Sequence, residues 1–145
     1  MSAPSPYPQK LSRDALSAFL SRAFPSAAAR GVLPEIDDLA SGYVRLILQP
    51  GDDSLRPGDL VSGPTLMGLA DTAAYAVVIS AIGDQPMALT HTLSISFLRP
   101  CVKGAVTCEA RLLKLGRRLA TVDARIHQST PDAPIAQATV GYALP

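Results

Sequence analysis

One segment constrains the fold of this chain more than any other. Residues 66–82 are almost entirely apolar, and their only ionisable carboxylate is Asp71. Pro64 suits the first position of a helix, because its missing N–H would have had no partner there, and Gly83 ends the apolar pattern. We therefore expect a helix from Pro64 to about Ile82. A helix that is apolar nearly all round has to be buried on more than one side.

The segments around this helix predict an antiparallel sheet. Residues 35–50 indicate two strands joined by a turn at Ser41-Gly42. In residues 88–98, Leu93, Ile95 and Phe97 alternate with Thr92, Ser94 and Ser96. Three further strands are predicted at 104–115, 118–128 and 134–144. The fold class is α+β: an antiparallel sheet wrapped around one long central helix. Because one sheet covers only one side of that helix, we expect a second subunit to cover the other.

The N-terminal residues are predicted to form an arm and a helix. Residues 1–10 hold three prolines and favour a loose arm, and Ser12 can cap a helix that runs to about Phe24, where Pro25 stops it. We divide the chain into this N-terminal part, residues 1–30, and one domain at residues 31–145. Residues 51–63 have the composition of a loop.

Composition limits the possible functions. The 145 residues carry a net charge of +1, which does not favour binding to nucleic acid through a positive face. With 48% hydrophobic and 17% charged residues, the chain is not generally disordered and is expected to form an oligomer. Two cysteines, Cys101 and Cys108, match neither a disulfide framework nor a zinc site, and no metal is expected. We expect a cytoplasmic protein without a membrane span.

Asp71 is the costly residue of the apolar helix, because an unpaired buried carboxylate is strongly unfavourable. On a helical wheel it shares a face with Met67, Gly68 and Tyr75, whereas Leu66 and other apolar residues lie opposite. We therefore expect Asp71 to face away from its own sheet, toward a partner or a cleft. Two interpretations stay open: a structural hydrogen bond, or a general base or nucleophile.

A second feature lies at the start of the same helix. The N–H of Gly63 is suited to stabilise an oxyanion, because the helix N-terminus is positive and glycine has no Cβ to block approach. An ordinary glycine before a proline is the alternative. Gly63 and Asp71 are eight residues apart in the sequence, about 12 Å along a helix. If both act on one carbonyl group, they must come from two subunits packed about a two-fold axis.

Four motifs carry a resemblance to a known family. They are LVSGP at 60–64, LADTA at 69–73, SISFLRP at 94–100 and KLGRR at 114–118. In this order and spacing they resemble the hotdog-fold acyl-CoA thioesterases of the PaaI type, over residues 32–144. The resemblance implies a homodimer or a dimer of dimers, with two active sites per dimer at the subunit interface.

The resemblance also implies the chemistry. The substrate would be a small or medium acyl-CoA or aryl-acyl-CoA, with coenzyme A as part of the substrate and no separate cofactor. Asp71 matches the family's catalytic carboxylate, acting as nucleophile or activating water, and the Gly63 N–H would polarise the thioester carbonyl. Ser62 stands where the family commonly has histidine, and Arg56 stands near the place of a loop asparagine or histidine.

Further site residues follow from the helix face, the strand pattern and the resemblance. The predicted substrate-binding residues are Ser62, Thr65, Met67, Gly68, Thr72, Tyr75, His91, Thr92 and Phe97. The predicted CoA-binding residues are Arg56, Lys114, Gly116, Arg117 and Arg118, because arginine and lysine suit phosphate groups; a solvated hairpin turn is the alternative for 114–118.

The chain has two histidines, and both lie in predicted strands. Strand alternation places His91 with Leu93 and Ile95, which indicates either a partly buried structural histidine or a residue of the pocket. His127, near the end of a strand, is expected at the surface. A triad of Ser62, His91 and Asp71 is disfavoured, because the chain has no G-x-S-x-G elbow.

Two other functions remain open. A non-catalytic dimer that binds acyl-CoA is suggested by the departures at Ser62 and Arg56. A dehydratase or isomerase on the same fold is disfavoured, because it usually needs a histidine paired with an acid near the helix.

Overall fold

Helix α3 is the centre of the fold, and a curved sheet packs against one side of it. The computed structural model describes residues 5–145, so the first four residues of the predicted arm lie outside the described residues. In chain order the elements are α1 (Arg13–Ala23), α2 (Pro25–Ala29), β1 (Glu35–Ala40), β2 (Tyr43–Leu48), β3 (Leu55–Arg56), β4 (Leu60–Val61), α3 (Gly63–Ile82), β5 (Leu89–Phe97), β6 (Val106–Leu115), β7 (Leu119–His127) and β8 (Ala136–Ala143).

The main sheet has six strands in the order β1-β2-β6-β7-β8-β5, and every neighbouring pair is antiparallel. The side of α3 that faces the sheet carries the residues predicted for it: Leu66, Leu69, Ala73 and Ala76 are all buried. The prediction of an antiparallel sheet with one long helix packed on it is confirmed. Among residues 5–145, strand β5 lies at one edge of the sheet and pairs only with β8.

Helix α1 of the same chain covers part of the side of α3 that faces away from the sheet. Cover of the remaining part by a second subunit stays a prediction. Helix α1 begins after Ser12, whose hydroxyl accepts a hydrogen bond from the Ala15 N–H. Its apolar stripe of Leu16, Phe19 and Leu20 is buried in the same core as the second half of α3. Only the first half of α3 stays uncovered, at Met67 and Gly68.

Several boundaries differ from the predictions for local reasons. Pro25 ends α1 as expected but also begins the short helix α2, since proline is well accepted in a first turn. The predicted loop 51–63 contains the small hairpin of β3 and β4. Helix α3 begins at Gly63 rather than Pro64. By length and hydropathy α3 could cross a bilayer, but 67% of its most apolar window is buried inside the protein, so it serves as a core helix.

His127 is buried, so the prediction of a surface histidine is wrong. The pairing of β6 with β7 brings its Nε2 to 3.5 Å from Glu109 Oε1. That neighbour lies 18 positions away in the sequence, so the pattern within β7 alone does not reveal it.

Removing the α1 cover should destabilise the fold. Leu16 is fully buried, and Leu16→Ala should lower the free energy of unfolding by about 2–5 kcal/mol, because the cavity cannot close completely. Urea denaturation followed by circular dichroism measures the loss. Ser17→Ala, on the exposed side of the same helix, is the matched control. Equal stability of Leu16→Ala and the control would show that α1 does not support α3.

Candidate active site

Asp71 lies near the middle of α3, half-buried, and its carboxylate is held from one side. Its Oδ1 accepts a hydrogen bond of 2.7 Å from the Thr90 hydroxyl and one of 2.6 Å from the Tyr142 hydroxyl. Within residues 5–145, its Oδ2 makes no hydrogen bond. The expectation that Asp71 faces away from its own sheet is therefore wrong: the side chain reaches the edge strand β5 and its neighbour β8.

Thr90 reaches Asp71 because β5 is irregular. Thr90 pairs directly with Tyr142 on β8, but the next paired residue is Thr92, opposite Gly141, so His91 forms a β-bulge. A bulge inserts one extra residue and shifts which side chains face the core. Thr90 consequently faces α3 together with Tyr142. Strict alternation would have placed it on the outer face with Thr92.

The same bulge corrects the assignments of His91 and Thr92. Both side chains are exposed, so His91 is not the partly buried histidine that alternation predicted. The neighbours of Gly141 in β8, Val140 and Tyr142, face the core, so a Cβ added at Gly141 would point to the outer face. Thr92 Oγ1 lies only 2.6 Å from the position of that Cβ. Thr92 is thus on the outer face of the sheet and does not reach Asp71. Thr90 and Tyr142, which sequence reasoning missed, occupy that position.

The carboxylate faces a small apolar cavity, the Asp71 pocket, with a volume of about 290 Å³. Aromatic rings form its floor: Tyr142 stacks on Tyr75 at 5.8 Å between ring centroids, and Phe24 packs edge-on against Tyr75. Burial, together with the hydrogen bond to Asp71, raises the pKa of Tyr142 far above its usual range. Tyr142 therefore remains a neutral hydrogen-bond donor. The remaining lining residues are Ala23, Pro86, Ala88, Leu89 and Thr90.

Gly63 presents a free backbone donor at the start of α3. Ser62 caps the helix, with its Oγ 3.4 Å from the Thr65 N and 2.8 Å from the Thr65 hydroxyl oxygen. Pro64 has no N–H. Among the described residues, the Gly63 N–H has no acceptor, so it is available to a ligand oxygen. The Ser62 hydroxyl, by contrast, is engaged in capping.

Gly63 and Asp71 open into different cavities of one chain. Gly63 lines a groove of about 470 Å³, the Gly63 groove, where a Cβ on this glycine would lie 3.4 Å from Phe97 Cζ. Arg56 lines the same groove, and so does Arg99, which the sequence analysis did not select. Between this groove and the Asp71 pocket lies the uncovered face of α3.

The other predicted substrate-binding residues divide into two groups. Thr65, Gly68 and Thr72 line a third cavity of about 330 Å³, together with residues of α2 and of the segment after β2. Met67 is 40% exposed on the uncovered face of α3. One chain therefore does not bring all of these residues to a single cavity.

Two of the predicted CoA-binding arginines lie close to the bulge. Arg117 and Arg118 line an open cleft, the Arg117 cleft, together with His91 and the residues that follow β8. Within residues 5–145 neither arginine forms a salt bridge. Gly116 shapes the turn before them, its N–H donating to the Leu119 carbonyl at 2.8 Å, and Lys114 is exposed nearby in sequence. The cleft thus carries unneutralised positive charge.

Neither cysteine is a suitable nucleophile. Cys101 and Cys108 are buried, and burial raises the pKa of both thiols. Among residues 5–145, no group of three histidine, cysteine or acidic side chains is placed to hold a metal ion. The reactive groups that the site offers are therefore a carboxylate, a helix N-terminus and arginines.

A comparison with protein families decides the classification. The sequence model of the Thioesterase superfamily matches residues 58–135, which include Gly63, Asp71 and the FLRP segment. This chain belongs to the thioesterase superfamily. The predicted family is thereby confirmed, and so is the predicted enzyme class at the level of family membership.

Solved structures agree with this membership. A "putative thioesterase" from Silicibacter sp. TM1040 is 35% identical to this superfamily member, with a TM-score of 0.87 over 100% of this chain and 99% of that one. A phenylacetic acid degradation-related "putative thioesterase" from Ralstonia eutropha JMP134 is 25% identical, with a TM-score of 0.72 over 87% and 98%. These neighbours support the predicted resemblance to PaaI-type proteins.

Two further relatives show how much of a relative's length this chain spans and which ligand one neighbour binds. "Putative esterase SSO1253" of Saccharolobus solfataricus is 33% identical over 91 residues, which is 61% of this thioesterase-superfamily chain but only 59% of that relative. A hypothetical thioesterase from Streptococcus pneumoniae TIGR4, solved with coenzyme A, shares the fold at 23% identity. Its TM-score is 0.68 over 77% of this chain and 88% of that one.

Proposed function

We propose that this protein hydrolyses the thioester bond of a small or medium acyl-CoA or aryl-acyl-CoA. The observation that carries the proposal is the carboxylate of Asp71, fixed through Oδ1 by two hydroxyls and free at Oδ2 beside an apolar cavity. An acyl group of modest size would enter the Asp71 pocket. The coenzyme A bound by the Streptococcus pneumoniae neighbour supports CoA as the thiol part of the substrate.

The active site is proposed to form between two subunits. Gly63 and Asp71 are separated by two turns of one helix and open into different cavities, so one chain cannot direct both at one carbonyl group. Antiparallel packing of the uncovered faces of two α3 helices would bring the Gly63 groove of one subunit to the Asp71 pocket of the other. The free edge of β5 offers a backbone surface for the same dimer.

The chemistry then follows from the two groups. The Gly63 N–H donates to the thioester carbonyl oxygen and stabilises the negative charge that develops there. Asp71 Oδ2 either attacks the carbonyl carbon, giving an anhydride that water cleaves, or takes a proton from the attacking water. In both routes the carbon–sulfur bond breaks, and CoA leaves as a thiolate that becomes protonated. Single-turnover hydrolysis in labelled water distinguishes the two routes.

The arginines fit the phosphate groups of CoA. Arg56 and Arg99 lie at the Gly63 groove of one subunit, and Arg117 and Arg118 lie near the Asp71 pocket of the other. The proposed dimer would place both sets beside one composite site. Guanidinium groups bind phosphate through paired hydrogen bonds.

Loss of the Asp71 carboxylate should abolish hydrolysis. Asp71→Asn keeps the shape of the side chain but removes the base or nucleophile, so kcat on the best substrate of an acyl-CoA panel should fall at least about 100-fold. Release of free thiol measures the rate, and size-exclusion chromatography checks the oligomer. Full activity of Asp71→Asn would refute the mechanism. Saturable binding of acyl-CoA without thiol release by the wild type would instead indicate the binding-protein hypothesis.

Two inactive variants should complement each other if the site is shared between subunits. Gly63→Pro removes the N–H donor and adds a ring that includes a Cβ 3.4 Å from Phe97 Cζ, and the extended backbone of Ser62 (φ −71°, ψ 153°) accepts a following proline. A heterodimer of Gly63→Pro with Asp71→Asn, purified through two different tags, retains one intact site. We expect about half of the wild-type activity per dimer, whereas each variant alone is inactive.

Gly63→Ala is the matched control for this experiment, because it adds a Cβ and keeps the N–H. It should retain more activity than Gly63→Pro. An inactive heterodimer would show that both groups act within one chain.

Arg117 and Arg118 should matter only for substrates that carry phosphate. The double variant Arg117→Ala/Arg118→Ala should raise KM for acyl-CoA roughly tenfold, because two charge-assisted contacts are lost. The same acyl group on N-acetylcysteamine, which lacks the nucleotide, is the control and should show an unchanged KM. An equal rise for both thioesters would contradict a role in phosphate binding.

A further inference from the structure

Tyr142 is held in one position from two sides. Its hydroxyl donates to Asp71 Oδ1 at 2.6 Å and lies 3.1 Å from the Asp71 carbonyl oxygen. Its ring is 3% exposed and stacks on Tyr75, which packs in turn on Phe19 and Phe24. A chain of aromatic rings thus runs from α1 to the carboxylate.

The two hydroxyl donors make the carboxylate oxygens unequal. Oδ1 accepts from both Thr90 and Tyr142, while Oδ2 is left for substrate or water. We propose that Tyr142 is a positioning residue for thioester hydrolysis: its hydroxyl fixes Asp71 Oδ1 and turns Oδ2 toward the reacting atoms. This inference rests on the proposed function, because it assigns Asp71 the reactive role.

Among the described residues, no charged side chain lines the Asp71 pocket beside Asp71 itself, so hydrogen bonds hold its carboxylate. The other walls of the Asp71 pocket come from the end of α1 with the residue after it and from the segment that leads into β5. Their residues, Ala23, Phe24, Pro86, Ala88 and Leu89, carry no titratable side chain. The Tyr75 hydroxyl donates to the Pro86 carbonyl at 2.9 Å. Asp84, which lies within electrostatic range of Tyr75, is 3.6 Å from Arg22. His91 is exposed outside the pocket. Among residues 5–145, the side-chain contacts that hold the Asp71 carboxylate are therefore its two hydroxyl donors.

Tyr142→Phe tests the proposal, because it removes the hydroxyl and keeps the stacked ring. Without this donor, Asp71 Oδ1 is held by Thr90 alone and Oδ2 is less well directed. The value of kcat should fall roughly 10- to 100-fold with little change in KM, because the donor acts on the reactive carboxylate and not on substrate binding.

Matched variants separate this role from a structural one. Tyr43→Phe removes a tyrosine hydroxyl from β2, where Tyr43 packs against Arg111 away from the site, and should leave both kcat and KM unchanged. Thr90→Ser keeps the second donor and should retain most activity, whereas Thr90→Val should lower kcat with little change in KM, as Tyr142→Phe does. In an Asp71→Asn background, Tyr142→Phe should cause no further loss of the residual rate.

The outcomes distinguish the inference from the function on which it rests. If Asp71→Asn abolishes hydrolysis but Tyr142→Phe, folded with an unchanged Tm, keeps the wild-type kcat, Tyr142 is not a positioning residue. If Tyr142→Phe lowers Tm and reduces the residual rate of Asp71→Asn as much as it reduces the wild-type rate, its role is packing, and the inference is overturned as well. If Asp71→Asn retains activity, the proposed function itself fails.

Discussion

The hydrogen bonds to Asp71 are the interaction on which the site depends. A carboxylate in the wall of an apolar helix would favour water over burial unless donors compensate for lost solvation. Two hydroxyls from different strands supply that compensation at one oxygen. Hydrogen bonds to charged groups are each worth about 1.5–3 kcal/mol, so the pair is a substantial contribution. The same contacts tie α3 to β5 and β8 at the edge of the sheet.

Helix α3 is buried along its second half and partly exposed along its first half, and this difference explains where a site can form. Helix α1 buries the second half, where Val77, Val78 and Ile79 are fully buried. The first half keeps its outer face open at Met67 and Gly68, and both Gly63 and Asp71 lie along this half. Gly68, which has no side chain, lets another surface approach the helix closely at this point. The covered half supplies stability, and the open half is available for a partner and a substrate.

Much of the fold was predictable because it depends on local periodicity. The apolar run predicted α3, and alternation predicted the strands, since both patterns arise from burial of one face or of the whole element. The position of α1 on α3 was not predictable, because it depends on contacts between segments far apart in the sequence. His127 was misjudged for the same reason: Glu109 becomes its neighbour only through strand pairing.

The site was predictable in its main residues and not in its supporting ones. Asp71 stood out as the one charge in an apolar helix, and Gly63 as the glycine at its start. Thr90 and Tyr142 carried a weaker signal. Tyr142 alternates with Val140 as a core-facing residue of β8, but the pattern does not tell which group its hydroxyl meets.

The β-bulge at His91 shows why alternation fails at this one place. Alternation assumes that a strand keeps its register, whereas one extra residue reverses the faces on either side of it. Beyond the bulge, the half-buried Leu93 and Ile95 face the core as predicted; before it, the exposed Thr90 directs its hydroxyl at Asp71 on α3. A regular strand could present either those apolar residues or Thr90 to α3, but not both. The bulge therefore allows one strand to complete the core and to supply a donor to Asp71, and it leaves His91 exposed beside Arg117 and Arg118.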